Sequence, residues 1–344
     1  MTIKAMRVGI TYDLRDDYRA MGYDDEAIAE FDSIETINAI DTTLQQLGFT
    51  TERIGHIKHL VSHLAGGQRW DMVFNIAEGM HGIGREAQIP ALLDAYTIPY
   101  TFSDPLVLAL TLNKAMTKQI IRDNNIPTPQ FMLITGIEDI QRCPLTYPLF
   151  AKPYAEGTGK GITASSVIRD TGQLESTCAF LLQKYKQPVL VEEYLPGREF
   201  TVGIVGSGNN AHAIGTMEII LLNNAEKDVY SYTNKEKCEE LVEYRLVNDS
   251  VSKKSESVAL QAWQALGCLD AGRVDIKCDS FGNPHFLEVN PLAGLHPTHS
   301  DLPIICTKVG ISYQQLIATI MHNALSRYNL LDSAPQKLSS FVIK

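Results

Sequence analysis

The segment Gly272-Arg-Val-Asp-Ile-Lys-Cys-Asp-Ser-Phe-Gly-Asn-Pro-His-Phe-Leu-Glu-Val-Asn-Pro291 constrains this chain more than any other. Apolar and polar residues alternate on both sides of a turn-rich stretch, Asp279 to Pro284, and that pattern specifies a β-hairpin. A turn centred between positions 281 and 282 puts Asp275 opposite Glu288. Side chains alternate faces along a strand, so Arg273 and Asn290 share the side of the two carboxylates. Val274, Ile276, Leu287 and Val289 take the other side. Like charges directly opposed on a sheet repel. A hard divalent cation between them removes that repulsion, and carboxylate with amide oxygen suits Mg²⁺ or Mn²⁺. Two solvated carboxylates on an exposed face, or a different register, satisfy the same pattern, and the hairpin alone leaves these readings open.

A second segment, Lys152-Pro-Tyr-Ala-Glu-Gly-Thr-Gly-Lys-Gly-Ile162, spaces glycines at 157, 159 and 161 between two lysines. Glycines let the backbone approach a ligand closely, and successive amides can cradle phosphate oxygens. It is not a Walker A loop, because Tyr154 stands where that motif needs glycine and Gly161 follows Lys160 where Ser or Thr is required. Taken alone, such a loop is more often an ordinary hairpin turn. Gly206-Ser-Gly-Asn-Asn-Ala211, with Asp228 further on, mimics a dinucleotide fingerprint. A strand-like segment follows it instead of a helix, so its glycines belong to a β-turn. Glu78-Gly-Met-His-Gly-Ile-Gly84 follows a strand and precedes a helical pattern, where α/β sheets carry ligand loops. No G-x-S-x-G appears, and covalent hydrolase chemistry has no support.

The first third alternates buried-strand runs, Val8–Tyr12 and Met72–Ile76, with a helical pattern at Ile34, Ile37, Ile40, Leu44 and Leu47. Asp32 with Glu35 offers that helix a cap and Gly48 ends it. This reads as a parallel α/β lobe. A further helix starts at Asp104-Pro105 and carries Leu106, Leu110 and Met116. Beyond Pro129 the texture turns to strands joined by Gly-rich turns, which is α+β. At about 150 residues per domain, 344 residues allow two domains or three small lobes. Net charge of −10 disfavours nonspecific binding to nucleic acid or anionic membranes. No apolar run approaches the roughly 18 residues of a membrane helix. No signal-peptide pattern opens the chain, and the six scattered cysteines form no CxxC pair. A cytoplasmic enzyme with reduced thiols is the expectation.

In their order and spacing, these segments resemble the ATP-grasp superfamily, most closely the D-alanine–D-alanine ligases, of which this chain is an atypical member. The resemblance runs from about residue 70 to 320. It is carried by Ile98-Pro-Tyr-Thr-Phe-Ser-Asp104, Leu112-Asn-Lys114, Phe150-Ala-Lys-Pro153, Val191-Glu-Glu-Tyr-Leu-Pro-Gly-Arg-Glu-Phe-Thr-Val202, Gly272-Arg-Val-Asp275 and Leu287-Glu-Val-Asn-Pro291. It implies an α/β N-terminal lobe over 1–110, and a central ATP-grasp lobe over 111–190. A C-terminal lobe over 191–344 carries the metal and substrate site, and the two α+β lobes clamp ATP.

The resemblance further implies that Lys114 and Lys152 contact phosphate, with Glu156, Gly157, Thr158, Gly159 and Lys160 in the loop that closes over the triphosphate. Glu192, Glu193, Tyr194 and Leu195 match the adenine-side hinge, and Glu199 the ribose acid. Asp275, Glu288 and Asn290 match the ligands of Mg²⁺ (or Mn²⁺), in agreement with the hairpin register. Arg273 and Gly294 match groups that stabilise a tetrahedral intermediate, and Lys235 a mobile-loop lysine on the phosphate. Glu78, His299 and Ser300 fall at substrate positions. The implied reaction is sequential: a carboxylate takes the γ-phosphoryl group, and an amine then attacks the acyl phosphate. Small amino acids are the implied partners, and a homodimer is compatible with the likeness.

The departures from the family pattern sit at the substrate end. Glu78-Gly79 stands at a usual His-Gly, Thr158-Gly-Lys160 replaces a serine-rich loop, and Gly294 to Ser300 is one residue longer than the familiar segment. Glu30 is the candidate counterpart of an N-terminal substrate-binding Glu. A ligase of the same mechanism for another amino or hydroxy acid therefore competes with a D-alanine enzyme, and a non-catalytic nucleotide-binding regulator stands as the contrasting class.

Overall fold

The computed structural model describes residues 5–226 and 229–343; Asp228, weighed above, lies outside them. In the N-terminal lobe, β1 (Arg7–Thr11), β2 (Thr50–Gly55) and β3 (Met72–Asn75) form a parallel sheet in the order β2-β1-β3. Tyr100 adds one parallel bridge to Val73 at its edge. The helix Ile34–Gln46 buries Ile37, Ile40 and Leu44 against this sheet, as its spacing requires. Its N-cap is Ser33 and not Asp32. Gly48 ends it at φ +100°, a left-handed conformation that a residue with a Cβ adopts only under strain.

The middle of the chain builds a four-stranded antiparallel sheet from β4 (Phe131–Ile134), β5 (Leu149–Pro153), β6 (Val167–Ile168) and β7 (Val189–Glu193), ordered β4-β7-β5-β6. The helix Thr171–Tyr185 covers one face, burying Leu174, Cys178 and Leu181. The expected lobe limit at 190 falls inside β7, which pairs within this central sheet.

A five-stranded antiparallel sheet follows: β8 (Glu199–Val205), β9 (His212–Leu221), β10 (Val242–Val247), β11 (Ala271–Cys278) and β12 (Pro284–Asn290), ordered β10-β9-β8-β11-β12. The glycines at 206 and 208 turn β8 into β9, and no helix follows them. Trp263 of the helix Ser250–Ala265 is fully buried among Phe200, Val202, Ile204, Val274, Ile276, Phe286 and Val289. The last long helix, Tyr313–Arg327, packs Leu316, Ile320, Met321 and Leu325 into the N-terminal core beside Ile37 and Leu44. The first and last parts of the chain therefore share one apolar cluster.

The helix expected from Asp104 onward is two helices, Pro105–Leu112 and Lys114–Asp123. Asn113 breaks the run at φ −83° and ψ 88°, and its side-chain oxygen accepts from Met116 N to cap the second helix. Leu106 and Met116 are 76% and 52% exposed and do not form the buried stripe; the first helix buries Val107, Leu108, Thr111 and Leu112, and the second Ala115, Thr117, Lys118 and Ile121. Among the described residues no single helix is long and apolar enough to cross a membrane. The five cysteines whose side chains are described are free thiols; the side chain of Cys238 lies outside that set.

Candidate active site

The β11–β12 hairpin pairs Asp275 with Glu288, Arg273 with Asn290 and Val274 with Val289, the register expected from the sequence. Beyond Asp275 the register slips by one, so Ile276 faces Phe286 and Leu287 becomes the extra residue of a β-bulge. Leu287 was expected on the apolar side. Phe286 takes that place in the core, and Leu287 faces a cavity next to Glu288. Asp275 accepts a hydrogen bond from Thr201 Oγ1 at 2.9 Å and pairs with Arg273. Arg273 also reaches Asp301 at 3.4 Å, and these carboxylates hold its guanidinium firmly charged despite burial. Burial raises Asp275, and Glu288 across the strand adds to the shift against the pull of Arg273. Burial works the same way on Glu288, but Lys114, Lys152, Lys235 and Arg273 outweigh it and hold that carboxyl well below its ordinary range.

The donor set fits a hard divalent cation. Two carboxylates face each other, one of them held ionised, and the repulsion between them is what a cation between them relieves. The amide nitrogen of Asn290 is buried without a hydrogen-bond partner. Rotating that amide puts its oxygen in the same place, where a cation would satisfy it.

Two cavities meet at this hairpin. A narrow slot of about 80 Å³ is lined by Lys152, Glu192, Glu193, Tyr194, Leu195 and Glu199, with Phe150, Ile162 and Leu287 as apolar walls. It brings together the residues expected at the adenine, the ribose and one phosphate. Glu199 pairs with Lys277 at 2.6 Å. The larger cavity, of about 510 Å³, is lined by Lys114, Gly157, Thr158, Arg273, Asn290, Gly294, His299 and Ser300, and by Glu78 on its far wall. Tyr230, Lys235 and Glu288 line both cavities, so the two open onto the same charged groups. Lys114 Nζ donates to Glu156 O at 2.6 Å and lies 3.4 Å from Glu288. Ser300 Oγ accepts from His296 N at 3.0 Å, and a Cβ on Gly294 would stand 2.8 Å from that hydroxyl.

The glycine-rich loop is fastened to the N-terminal lobe. Gly157 N donates to Glu30 Oε1 at 2.6 Å, and a Cβ on Gly157 would sit 2.6 Å from the same oxygen. Glu30 also pairs with Arg85 at 3.0 Å, and Arg85 donates to Ala155 O at 3.0 Å. Lys160, expected on the triphosphate, turns instead toward the N-terminal lobe. Its Nζ lies 3.3 Å from Ala27 O and 3.5 Å from both Glu30 and Glu156, and it lines neither of the two cavities above. Gly159 lines neither of them, and Glu156 touches the site through its carbonyl.

Sequence reasoning missed several functional groups. Lys118 is fully buried and pairs with Glu192 Oε2 at 2.9 Å, while Lys152 takes Oε1 at 2.9 Å. Glu86 joins Glu78 on the wall of the large cavity, and Asp301 steadies Arg273. Burial raises Glu78 well above the usual carboxylate range, with Glu86 and Glu30 adding to the effect. Burial also pushes Glu86 up to about 7 against the attraction of Arg85. The signal for Asp301 was present in its position next to Ser300. Lys118 and Glu86 gave none, since each looks like a solvated residue on a helical pattern.

Comparison with known proteins agrees with this geometry. The family model described as "D-ala D-ala ligase C-terminus" matches residues 120–322. A D-alanine–D-alanine ligase of Bordetella avium is 34% identical over 251 residues, 71% of this chain and 76% of its own length. The Aquifex aeolicus D-alanine–D-alanine ligase is 30% identical over 84% of this chain and 94% of its own. Among solved structures, the D-alanine–D-alanine ligase of Bacillus anthracis complexed with ATP superposes with a TM-score of 0.73 at 20% identity, covering 94% of this chain and 99% of that one. The VanG D-Ala:D-Ser ligase of Enterococcus faecalis gives 0.71 at 18% identity, over 93% and 100%. The chain has the ATP-grasp fold and belongs to the D-alanine–D-alanine ligase family of ATP-dependent carboxylate–amine ligases.

Proposed function

We propose that this protein joins two amino acids into a dipeptide through an acyl phosphate, at the expense of ATP. The observation that carries the reading is the meeting of the two cavities at Lys235 and Glu288. A nucleotide in the slot presents its terminal phosphate where a substrate carboxylate in the larger cavity can reach it. The carboxylate oxygen attacks the γ-phosphorus and ADP leaves; the amine of the second substrate attacks the acyl carbon, and inorganic phosphate leaves. Lys114 and Lys152 bind and orient phosphate oxygens. Arg273, held by Asp275 and Asp301, and the backbone amide at Gly294 stabilise the tetrahedral oxyanion. Asp275, Glu288 and Asn290 would hold Mg²⁺, which supplies neutralising charge at the phosphates. The loop at 156–161, fastened through Glu30, keeps water from the acyl phosphate.

A basic amino acid is a better substrate than D-alanine in this reading. Glu30, Asp32, Glu35, Glu78 and Glu86 line the N-terminal side of the large cavity against a single lining arginine, Arg15. Arg15 donates to the carbonyls of Phe31 and Ala29. Glu78 and Glu86 make no hydrogen bond or ion pair among the described residues, and both are raised by burial. A substrate with a second ammonium group supplies the missing charge.

The test is ADP release over a panel of D- and L-amino acids that includes alanine, ornithine, lysine and norleucine. ¹⁸O-labelled carboxylate is added to follow oxygen transfer. Amino-acid-dependent release with ¹⁸O in the phosphate is expected. Release indifferent to amino acids, or label absent from phosphate, removes the acyl-phosphate reading, and no release at all favours a nucleotide-binding regulator. Equal use of norleucine and lysine removes the basic-substrate reading alone.

A further inference from the structure

Lys118 lies on the helix Lys114–Asp123 and is fully enclosed by protein. Its Nζ pairs with Glu192 Oε2 at 2.9 Å and donates to Thr128 Oγ1 at 2.9 Å and to Phe286 O at 3.3 Å. Glu192, 3% exposed in its side chain, holds Lys152 Nζ at 2.9 Å through its other oxygen. Three charges thus stand in a row, cation, anion, cation. Lys152 and Glu192 line the nucleotide slot; Lys118 does not.

We propose that Lys118 is a positioning residue that neutralises Glu192, so that Lys152 keeps its positive charge for the triphosphate of the bound nucleotide. A buried Lys152–Glu192 pair by itself is neutral and offers a polyanion little attraction. The third charge returns the group to a net charge of +1, and the slot receives it on Lys152. The bonds to Thr128 and Phe286 fix Lys118 in place, so that both oxygens of Glu192 are held and Lys152 is aimed with them. Burial lowers Lys118 to about 8, with Glu192 opposing the shift, which keeps it charged near neutral pH. The inference rests on a nucleotide occupying the slot.

The experiment is calorimetric binding of adenosine, ADP and ATP, each with magnesium for the phosphorylated ligands, to the wild type, Lys118→Met, Glu192→Gln and the double variant. Lys118→Met is expected to weaken ATP at least tenfold, ADP by less, and adenosine within twofold. The double variant regains the net charge and is expected to recover at least half of the lost ATP binding, on a logarithmic scale. Should Lys118→Met fail to fold, the ratio of ATP to adenosine affinity in Glu192→Gln decides, since that variant leaves two uncompensated lysines and is expected to raise the ratio above that of the wild type. Equal weakening of adenosine and ATP means a merely structural lysine and overturns the proposal. A lowered ATP-to-adenosine ratio in Glu192→Gln, or no recovery in the double variant, overturns it too. A wild type that binds neither adenosine nor ATP removes the slot reading and this inference with it.

Discussion

The slot proposed for the nucleotide and the N-terminal wall of the large cavity are both rich in carboxylates, yet they differ in how many of them are paired. In the slot four of the five lining acids have a cation close by: Glu192 has Lys118 and Lys152, Glu199 has Lys277, Glu288 has Lys114 and Asp275 has Arg273, while Glu193 has no ion pair among the described residues. On the wall Glu30 has Arg85 and Lys160, but Glu78 and Glu86 have no ion pair among the described residues. A buried carboxylate without a partner costs stability, and its pKa rises accordingly. The contrast says that most acids of the slot are already paired in the free protein, whereas Glu78 and Glu86 on the wall are not.

Four changes test that contrast, beginning with the largest. Glu288→Ala removes the carboxylate common to both cavities, and ADP release is expected to fall roughly a thousandfold or more. Near-normal turnover at low Mg²⁺ would break the assignment of Glu288. Arg85→Ala removes the nearest cation of Glu30, at 3.0 Å, in a site where both side chains are below 10% exposed, and leaves it Lys160 at 3.5 Å and the Gly157 N–H. The expected loss is about 3 to 5 kcal/mol in denaturant unfolding, and a loss below 1 kcal/mol would show the latch to be incidental.

Asp270, remote from both cavities, calibrates the argument. Burial pushes its carboxyl up to about 6, although Arg327 at 2.9 Å and the Phe102 N–H at 2.7 Å pull it down. Below about pH 4 this group is protonated in both the folded and unfolded states. Between about 4 and 6 the folded state binds more protons, so this group's contribution to stability falls as pH rises through that window and is constant above it. Relative to Asp270→Asn, the wild type is expected to lose on the order of 2 kcal/mol between pH 4 and 6; an unchanging difference sinks the prediction. The smallest effect concerns the wall itself. Glu78→Gln with Glu86→Gln is expected to cut kcat/KM for a basic amino acid about tenfold, roughly 1.4 kcal/mol, and to leave a neutral one within threefold. The same pair of changes raises thermal stability at pH 7 by relieving repulsion; a drop in the melting temperature would count against unpartnered acids.

The parts legible in the sequence were those where one local rule decides. The 3.6-residue spacing of Ile37, Ile40 and Leu44 set a buried helix face; the alternation rule reached Asp275 opposite Glu288 with a turn centred between 281 and 282, whereas the turn is centred on 281 and the bulge at Leu287 makes up the difference. Rules of fixed period fail where the backbone breaks the period. The bulge at Leu287 and the break at Asn113 both do so: Leu287 leaves the apolar face, and Met116 belongs to a second helix that does not continue the period of the first. Charged residues were harder still. Lys118 on a helix reads as a solvent group until the fold brings Glu192 from another strand to meet it. Lys160 shows the converse: its place in the loop suggested phosphate, and tertiary contacts with Ala27 and Glu30 claim it instead.

The bulge has a consequence for how this site can change over time. Because Leu287 is an inserted position with no cross-strand partner, its side chain is free to vary in size without moving Phe286 in the core or Glu288 opposite Asp275. The wall of the slot can be retailored by one substitution while packing and acid pair stay in register. Deleting that one residue would close the slip with Phe286 still paired to Ile276 in the core and Glu288 still opposite Asp275, so the slot alone would lose a wall.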